Sequence, residues 1–70
     1  MEIIEIKTDF IKLDQLLKWC GIVGSGTDAK ILIKNEVVKV NGEIEVRRGK
    51  KIYSEDIIEV EEKEYKIIKK

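Results

Sequence analysis

Seventy residues with a formal charge of zero, 14 Lys and Arg against 14 Asp and Glu, fit one domain spanning 1–70 and no more. One cysteine and no histidine exclude a disulfide framework and the usual Cys/His zinc site, so no metal or cofactor is expected. A chain this short buries only about 60% of its unfolded surface, yet 43% of its residues are hydrophobic, many of them Ile and Val, so packing alone can hold a core.

The chain opens with "MEIIEIK", which predicts a strand with Ile4 and Ile6 on one face. Glu2 and Glu5 stand where a signal peptide carries Lys or Arg ahead of an apolar run. No stretch approaches the roughly 20 apolar residues of a membrane span. A cytoplasmic protein without a membrane partner is expected. Phe10, Leu13, Leu16, Leu17 and Cys20 then recur at helical spacing and predict a helix over about Lys12 to Cys20. Gly21 follows, where a left-handed cap suits glycine. The unpaired Cys20 fits a reducing compartment and reads as a small buried hydrophobe. Trp19, at the helix end, has two readings: packing on the core edge, or stacking on a base.

In "GSGTDAKILIKN", Ser25 is placed to cap a second helix, with Asp28 closing a Ser-x-x-Asp box. Ala29, Leu32 and Ile33 form its apolar stripe, and the helix is expected over about Gly26 to Asn35. Its N-terminus, open between Gly24 and Gly26, suits either ordinary capping or a phosphate, with Asp28 competing for the same positive end. Lys30 and Lys34, four apart, share a face that is either solvated or in contact with a polyanion.

The period then changes from 3.6 to 2. "VVKVNGEIEV" alternates around Asn41-Gly42, a strong hairpin signal because both residues accept positive φ. Val38 and Val40 are expected to share a face with Ile44 and Val46, with Lys39, Glu45 and Arg47 on the other. "KKIY", "DIIEVE" and "EYKIIK" predict further short strands. Tyr53 and Tyr65 fall inside these patterns and read as structural. The whole predicts an α+β fold, a helix pair packed on one face of a small, mostly antiparallel sheet.

Charge is segregated along this frame. Between residues 30 and 51 the cations Lys30, Lys34, Lys39, Arg47, Arg48, Lys50 and Lys51 face only Glu36, Glu43 and Glu45. Between residues 55 and 64 the anions Glu55, Asp56, Glu59, Glu61, Glu62 and Glu64 face only Lys63. An approaching partner feels that asymmetry, not the zero sum. The turn "EVRRGKK" could be charged for solubility, yet like charges so close repel, and arginine suits phosphates and base planes.

Leu13-Asp14, Leu17, Gly21, Ser25, Ala29, Leu32-Ile33 and Val38-x-Val40-Asn41-Gly42, in this order and spacing, resemble the S4 RNA-binding domain. The likeness is greatest to its small stand-alone bacterial branch and covers about Lys12 to Val60. It implies an S4-type, αL RNA-binding fold in which the two helices and the following hairpin present one basic face. Position by position it implies contacts from Lys12, from Ser25, Gly26, Thr27 and Asp28, from Lys30 and Lys34, and from Asn41. Arg47, Arg48, Lys50 and Lys51 lie where the family often keeps basic residues. Three positions depart from its pattern. Lys12 stands for the usual Arg and loses the planar fork. Gly26 stands for an Arg, a feature shared with the stand-alone branch. Glu36 stands for a Gly, so a positive φ there would be strained.

The resemblance implies a monomeric, non-catalytic protein that recognises structured RNA, ribosomal or transfer RNA, by shape and phosphate geometry. Ribosomal proteins are further expected partners. By its charge the acidic segment, residues 55–64, has three readings: it keeps RNA off the opposite surface, it is a solvated edge, or it is a protein contact. No nucleophile–base set argues for an enzyme. The alternative is a protein–protein adaptor associated with ribosomal or other RNA-processing proteins.

Overall fold

The computed structural model describes residues 1–70 and contains seven strands and two helices. In chain order they are β1 (Glu2–Ile6), β2 (Phe10–Lys12), α1 (Leu13–Trp19), α2 (Gly26–Lys34), β3 (Val38–Val40), β4 (Glu43–Ile44), β5 (Lys51–Tyr53), β6 (Ile57–Val60) and β7 (Lys63–Lys69). Five strands form one sheet in the order β1-β7-β6-β3-β4. Its inner pairs are antiparallel, and β1 lies parallel to β7, with Glu2 opposite Tyr65 and Ile6 opposite Lys69. The expected α+β architecture is therefore what the chain adopts. β2 and β5 make a separate two-stranded ribbon.

The helices form where the apolar spacing places them. Leu13, Leu16 and Leu17 of α1 and Ala29 and Ile33 of α2 are buried together with Ile6, Val38, Val40, Ile52, Ile58, Val60, Tyr65 and Ile67 in one cluster. α1 ends in a Schellman motif: Gly21 N–H donates to Lys18 O at 3.1 Å and Ile22 N–H to Leu17 O at 3.0 Å. Gly21 takes φ +75° there, which its missing Cβ allows. α2 also ends on a left-handed residue but makes only the inner bond of that motif. Glu36 N–H donates to Ile33 O at 3.1 Å, and Glu36 itself adopts φ 61°. The position where the family pattern carries glycine does need the left-handed region, and a glutamate bears it. Neither helix is long and apolar enough to cross a membrane.

Two expectations are corrected. Phe10 belongs to β2 and not to the stripe of α1; its spacing to Leu13 and Leu17 mimics a helix, but pairing with β5 holds residues 10–12 extended. The β3–β4 hairpin has the opposite facing from that expected. Its loop is Asn41-Gly42 alone, so Val40 lies opposite Glu43 and Lys39 opposite Ile44. With a two-residue loop, even-numbered residues of one strand share a face with odd-numbered residues of the next. Ile44 and Val46 thus point away from the core and remain 51% and 56% exposed, while Val38 and Val40 are buried.

Candidate nucleic-acid interface

The basic loop between β4 and β5 is positioned by the start of α1. Leu13 and Asp14, the first residues of that helix, have backbone N–H groups with no partner inside the helix. They donate instead to Lys50 O at 2.9 Å and Arg48 O at 3.0 Å. Lys12 occupies the cap position and makes no side-chain capping bond, so loop carbonyls do what a Ser or Asp cap does elsewhere. A further bond from Lys50 N–H to Arg47 O at 3.2 Å closes the loop into a turn with Arg48 and Gly49 at its corner.

The ribbon adds two more cations. In the β2–β5 register Lys12 lies directly opposite Lys51, Ile11 opposite Ile52, and Phe10 opposite Tyr53. Side chains alternate along a strand, so the two isoleucines turn inward, Ile52 fully buried, and both lysines and both aromatics turn outward. Like charges directly opposite in a ladder are destabilising. No acid stands between them: Lys12, Arg48, Lys50 and Lys51 make no ion pair in the structure. Lys51 Nζ leans over the Phe10 ring, 4.8 Å from its centroid.

Arg47 behaves differently from its neighbours. Its guanidinium forks onto Glu45, with Nε donating to Oε2 at 2.9 Å and Nη2 to Oε1 at 3.2 Å, and its own backbone N–H donates to Oε2 at 3.0 Å. Hydrogen bonding from Arg47 holds the Glu45 carboxyl below the usual carboxylate range, and Glu45 raises Arg47 in return. Glu45 is only 12% exposed, so the fork anchors the loop to the hairpin. Arg47 is thus the one cation of the loop that already has its carboxylate.

Asn41 is similarly committed. Its backbone takes φ 52° and that of Gly42 φ 87°, the paired left-handed turn expected from the sequence. Its amide donates to Asp56 Oδ1 at 3.1 Å and accepts from Ile57 N–H at 2.9 Å. Asp56 Oδ2 in turn accepts from Tyr53 N–H at 2.8 Å, which ties the hairpin turn to the ribbon. Asn41, Arg47, Lys50, Lys51 and Tyr53 line a groove of about 440 Å³ together with the carboxylates Glu43, Glu45 and Asp56.

The remaining predicted residues lie on α2 and at its cap. Ser25 Oγ accepts from Asp28 N–H at 3.2 Å, so the serine caps the helix, while the Asp28 carboxylate makes no return bond to the Ser25 backbone. A side chain at Gly26 would meet nothing within 4 Å. Gly26 and Thr27 follow the cap in the first turn, and Lys30 and Lys34 are exposed, without ion-pair partners. No hydrogen bond or ion pair joins these residues to the loop cluster. The structure thus sets Lys12, Arg48, Lys50 and Lys51 around the start of α1 and the β2–β5 ribbon, with Asn41 and Arg47 held by their own side-chain bonds, and carries Ser25 to Lys34 on α2, which packs against α1.

Trp19 is more open than core-edge packing implies, and the pairing of Phe10 with Tyr53 escaped the sequence reading. Trp19 is 64% exposed, its indole N–H donating to Glu5 O at 3.2 Å, so it braces α1 against β1 without entering the core. Phe10 and Tyr53 form an exposed pair, ring centroids 5.9 Å apart and planes tilted by 48°. The signal was present: "FIK" and "KIY" are mirror patterns whose antiparallel pairing sets aromatic against aromatic and lysine against lysine.

A helix pair backed by a mixed sheet is the arrangement of a known class. The S4 domain family model matches residues 4–68, and the chain belongs to that family. It is 41% identical over 58 residues to the probable ribosome maturation protein RlbA of Bacillus subtilis, a match covering 83% of this chain and 82% of that one. Its fold is similar to that of YbcJ from E. coli, whose solution structure revealed an αL motif involved in RNA binding. That match has a TM-score of 0.73 and 30% identity over 97% of this chain and 87% of the other. It also resembles the 30S ribosomal protein S4e of Thermoplasma acidophilum in fold, with a TM-score of 0.65 and 20% identity over 86% of this chain and 32% of that one.

Proposed function

We propose that the chain is a monomeric, non-catalytic protein that binds folded RNA, ribosomal or transfer RNA, and does so in ribosome maturation. The observation that carries this reading is the set of four cations, Lys12, Arg48, Lys50 and Lys51, held together by backbone bonds with no carboxylate paired to any of them. Assembling like charges costs folding energy, and a polyanion returns it. The RNA-binding motif of YbcJ and the probable ribosome maturation role of RlbA support the same reading. A nucleophilic role for Cys20 is disfavoured, because burial pushes its thiol up to about 11 and its Sγ–H donates to Leu16 O at 2.8 Å.

The test is a salt titration against ribosomal RNA fragments and transfer RNA. Each neutralised phosphate contributes about 0.7 to 0.9 to the slope of log K against log salt. Four cations then give a loss of about a hundredfold between 50 and 200 mM salt. Engagement of Lys30 and Lys34 as well raises it to on the order of a thousandfold. No measurable binding at the lowest salt would overturn the reading.

A second reading, a protein adaptor, is favoured by one feature. β1 pairs only with β7, so its outer edge is unpaired, and Met1 and Ile3 beside it are exposed. Co-purification of a ribosomal protein that survives RNase would select it.

A further inference from the structure

The outward face of the β2–β5 ribbon is more than a source of charge. Tyr53 is 48% exposed and Phe10 36%, and of the tilted pair Phe10 carries the Lys51 ammonium over its ring while Tyr53 is the more open. Two residues along the same face stand Lys12 and Lys51. At about 3.4 Å per residue, the aromatic row and the lysine row lie roughly 7 Å apart, within the span of one nucleotide. Tyr53 also forms a wall of the groove beside it, together with Lys50 and Lys51. Of the three carboxylates lining that groove, Asp56 is engaged by Asn41 and the Tyr53 backbone and Glu45 by Arg47, which leaves Glu43 as the one without a bonded partner.

The geometry points to a single-nucleotide site on this ribbon, in which an unpaired base of the RNA stacks on Tyr53, buttressed by Phe10, while its phosphate lies against Lys51 and Lys12. The inference rests on the RNA-binding reading and deepens it, because it makes an extruded or bulged base the feature that directs docking. Stacking is tolerant of base identity, since every base has a π-face, so the site reads the presence of an unstacked base and not its sequence. The Lys51 ammonium parked over Phe10 keeps a cation in place beside the ring before RNA arrives. The same face gives a use to the opposed Lys12 and Lys51, a like-charge pair that strand pairing alone does not favour.

The experiment uses two hairpin RNAs that differ only in a one-nucleotide bulge, carrying 2-aminopurine in one and an abasic residue in the other. The protein is expected to bind the base-containing bulge about tenfold more tightly and to quench its fluorescence on binding. Tyr53→Leu should remove the preference and the quenching while leaving affinity for the abasic hairpin unchanged, and Tyr53→Phe should retain both. Unchanged abasic affinity also establishes that the Leu variant is folded. Equal affinity of the wild-type protein for the two hairpins, with 2-aminopurine unquenched, would overturn the site but leave general RNA binding standing. An equal loss for both RNAs in Tyr53→Leu would overturn it as well. Failure to bind either hairpin at low salt would remove the underlying RNA reading itself.

Discussion

The β3–β4 and β6–β7 hairpins close with the same kind of two-residue turn and fill it with opposite chemistry. Asn41 and Gly42 adopt φ 52° and 87°; Glu61 and Glu62 adopt φ 49° and 71°. Both turns are fixed by register, Val40 opposite Glu43 in one and Val60 opposite Lys63 in the other. Asn-Gly is the pair such a turn selects, whereas a residue with an ordinary side chain pays about 1–2 kcal/mol for the left-handed region. The helix ends repeat the contrast, with Gly21 at the end of α1 and Glu36 at the end of α2. The turns sit at opposite ends of β6, roughly 13 Å apart at about 3.4 Å per residue. Asn41 borders the groove with Arg47, Lys50 and Lys51. Glu62 lies in a shallow depression with Glu2, Lys63 and Glu64. At the cationic end the turn is relaxed and its amide is built into the scaffold; at the anionic end strain is accepted and charge is gained.

Reversing charge at each end tests whether the polarity matters. Arg48→Glu with Lys50→Glu removes two unpaired cations without touching the backbone bonds of the loop. It should lower RNA affinity by at least about tenfold and reduce the salt slope by roughly 2. Glu61→Lys with Glu62→Lys lies beyond a Debye length of about 10 Å at 0.1 M salt and should leave affinity within about twofold. Equal effects from both ends, read by filter binding, would dissolve the distinction.

Stability separates the two turns more finely. Asn41→Ala removes two side-chain hydrogen bonds, to Asp56 and Ile57, and puts alanine in the left-handed region. A loss of about 2 kcal/mol is expected in urea unfolding. Glu61→Asn with Glu62→Gly installs the relaxed pair at the strained end and should stabilise the protein by about 1 kcal/mol. Glu62→Gln, which keeps the strain and removes the charge, should change stability far less. A matching gain from Glu62→Gln would mean that the cost at that end is repulsion and not backbone conformation.

The contrast also marks what the sequence could disclose. Asn41-Gly42 and Gly21 are legible because those residues prefer the conformation they adopt. Glu61 and Glu62 are not, since nothing in glutamate announces a positive φ; only the register of β6 against β7 forces it. Glu36 was visible through a family pattern that carries glycine there. Leu13, Leu16, Leu17, Ala29 and Ile33 announced both helices by period. Phe10 misled for the same reason, since spacing to Leu13 cannot reveal that Tyr53, 43 positions on, will hold it in a ribbon. Of the predicted contacts, the run from Arg47 to Lys51 was visible as charge, but its docking on Leu13 and Asp14 and the capture of Arg47 by Glu45 depend on tertiary bonds that local pattern does not encode.

That capture gives the smallest effect and the sharpest internal control on the cationic end. Glu45 is charged and forked onto Arg47, its carboxyl held below the usual carboxylate range by the hydrogen bonds it accepts. A carboxyl lowered on folding contributes stability that is fully present above its unfolded value. That contribution is lost as pH falls through the folded value. Wild-type protein should therefore lose stability more steeply below pH 4.5 than Glu45→Gln, with the two unfolding midpoints converging as acid protonates the wild-type residue. At neutral pH the same substitution releases Arg47 to join Arg48, Lys50 and Lys51. RNA affinity should then rise slightly, and the salt slope should grow by up to about 0.9. A fall in affinity for Glu45→Gln would mean that the shape the fork imposes on the loop matters more to RNA than the charge it withholds. The relaxed end would then be tuned for geometry in the same way as its Asn-Gly turn.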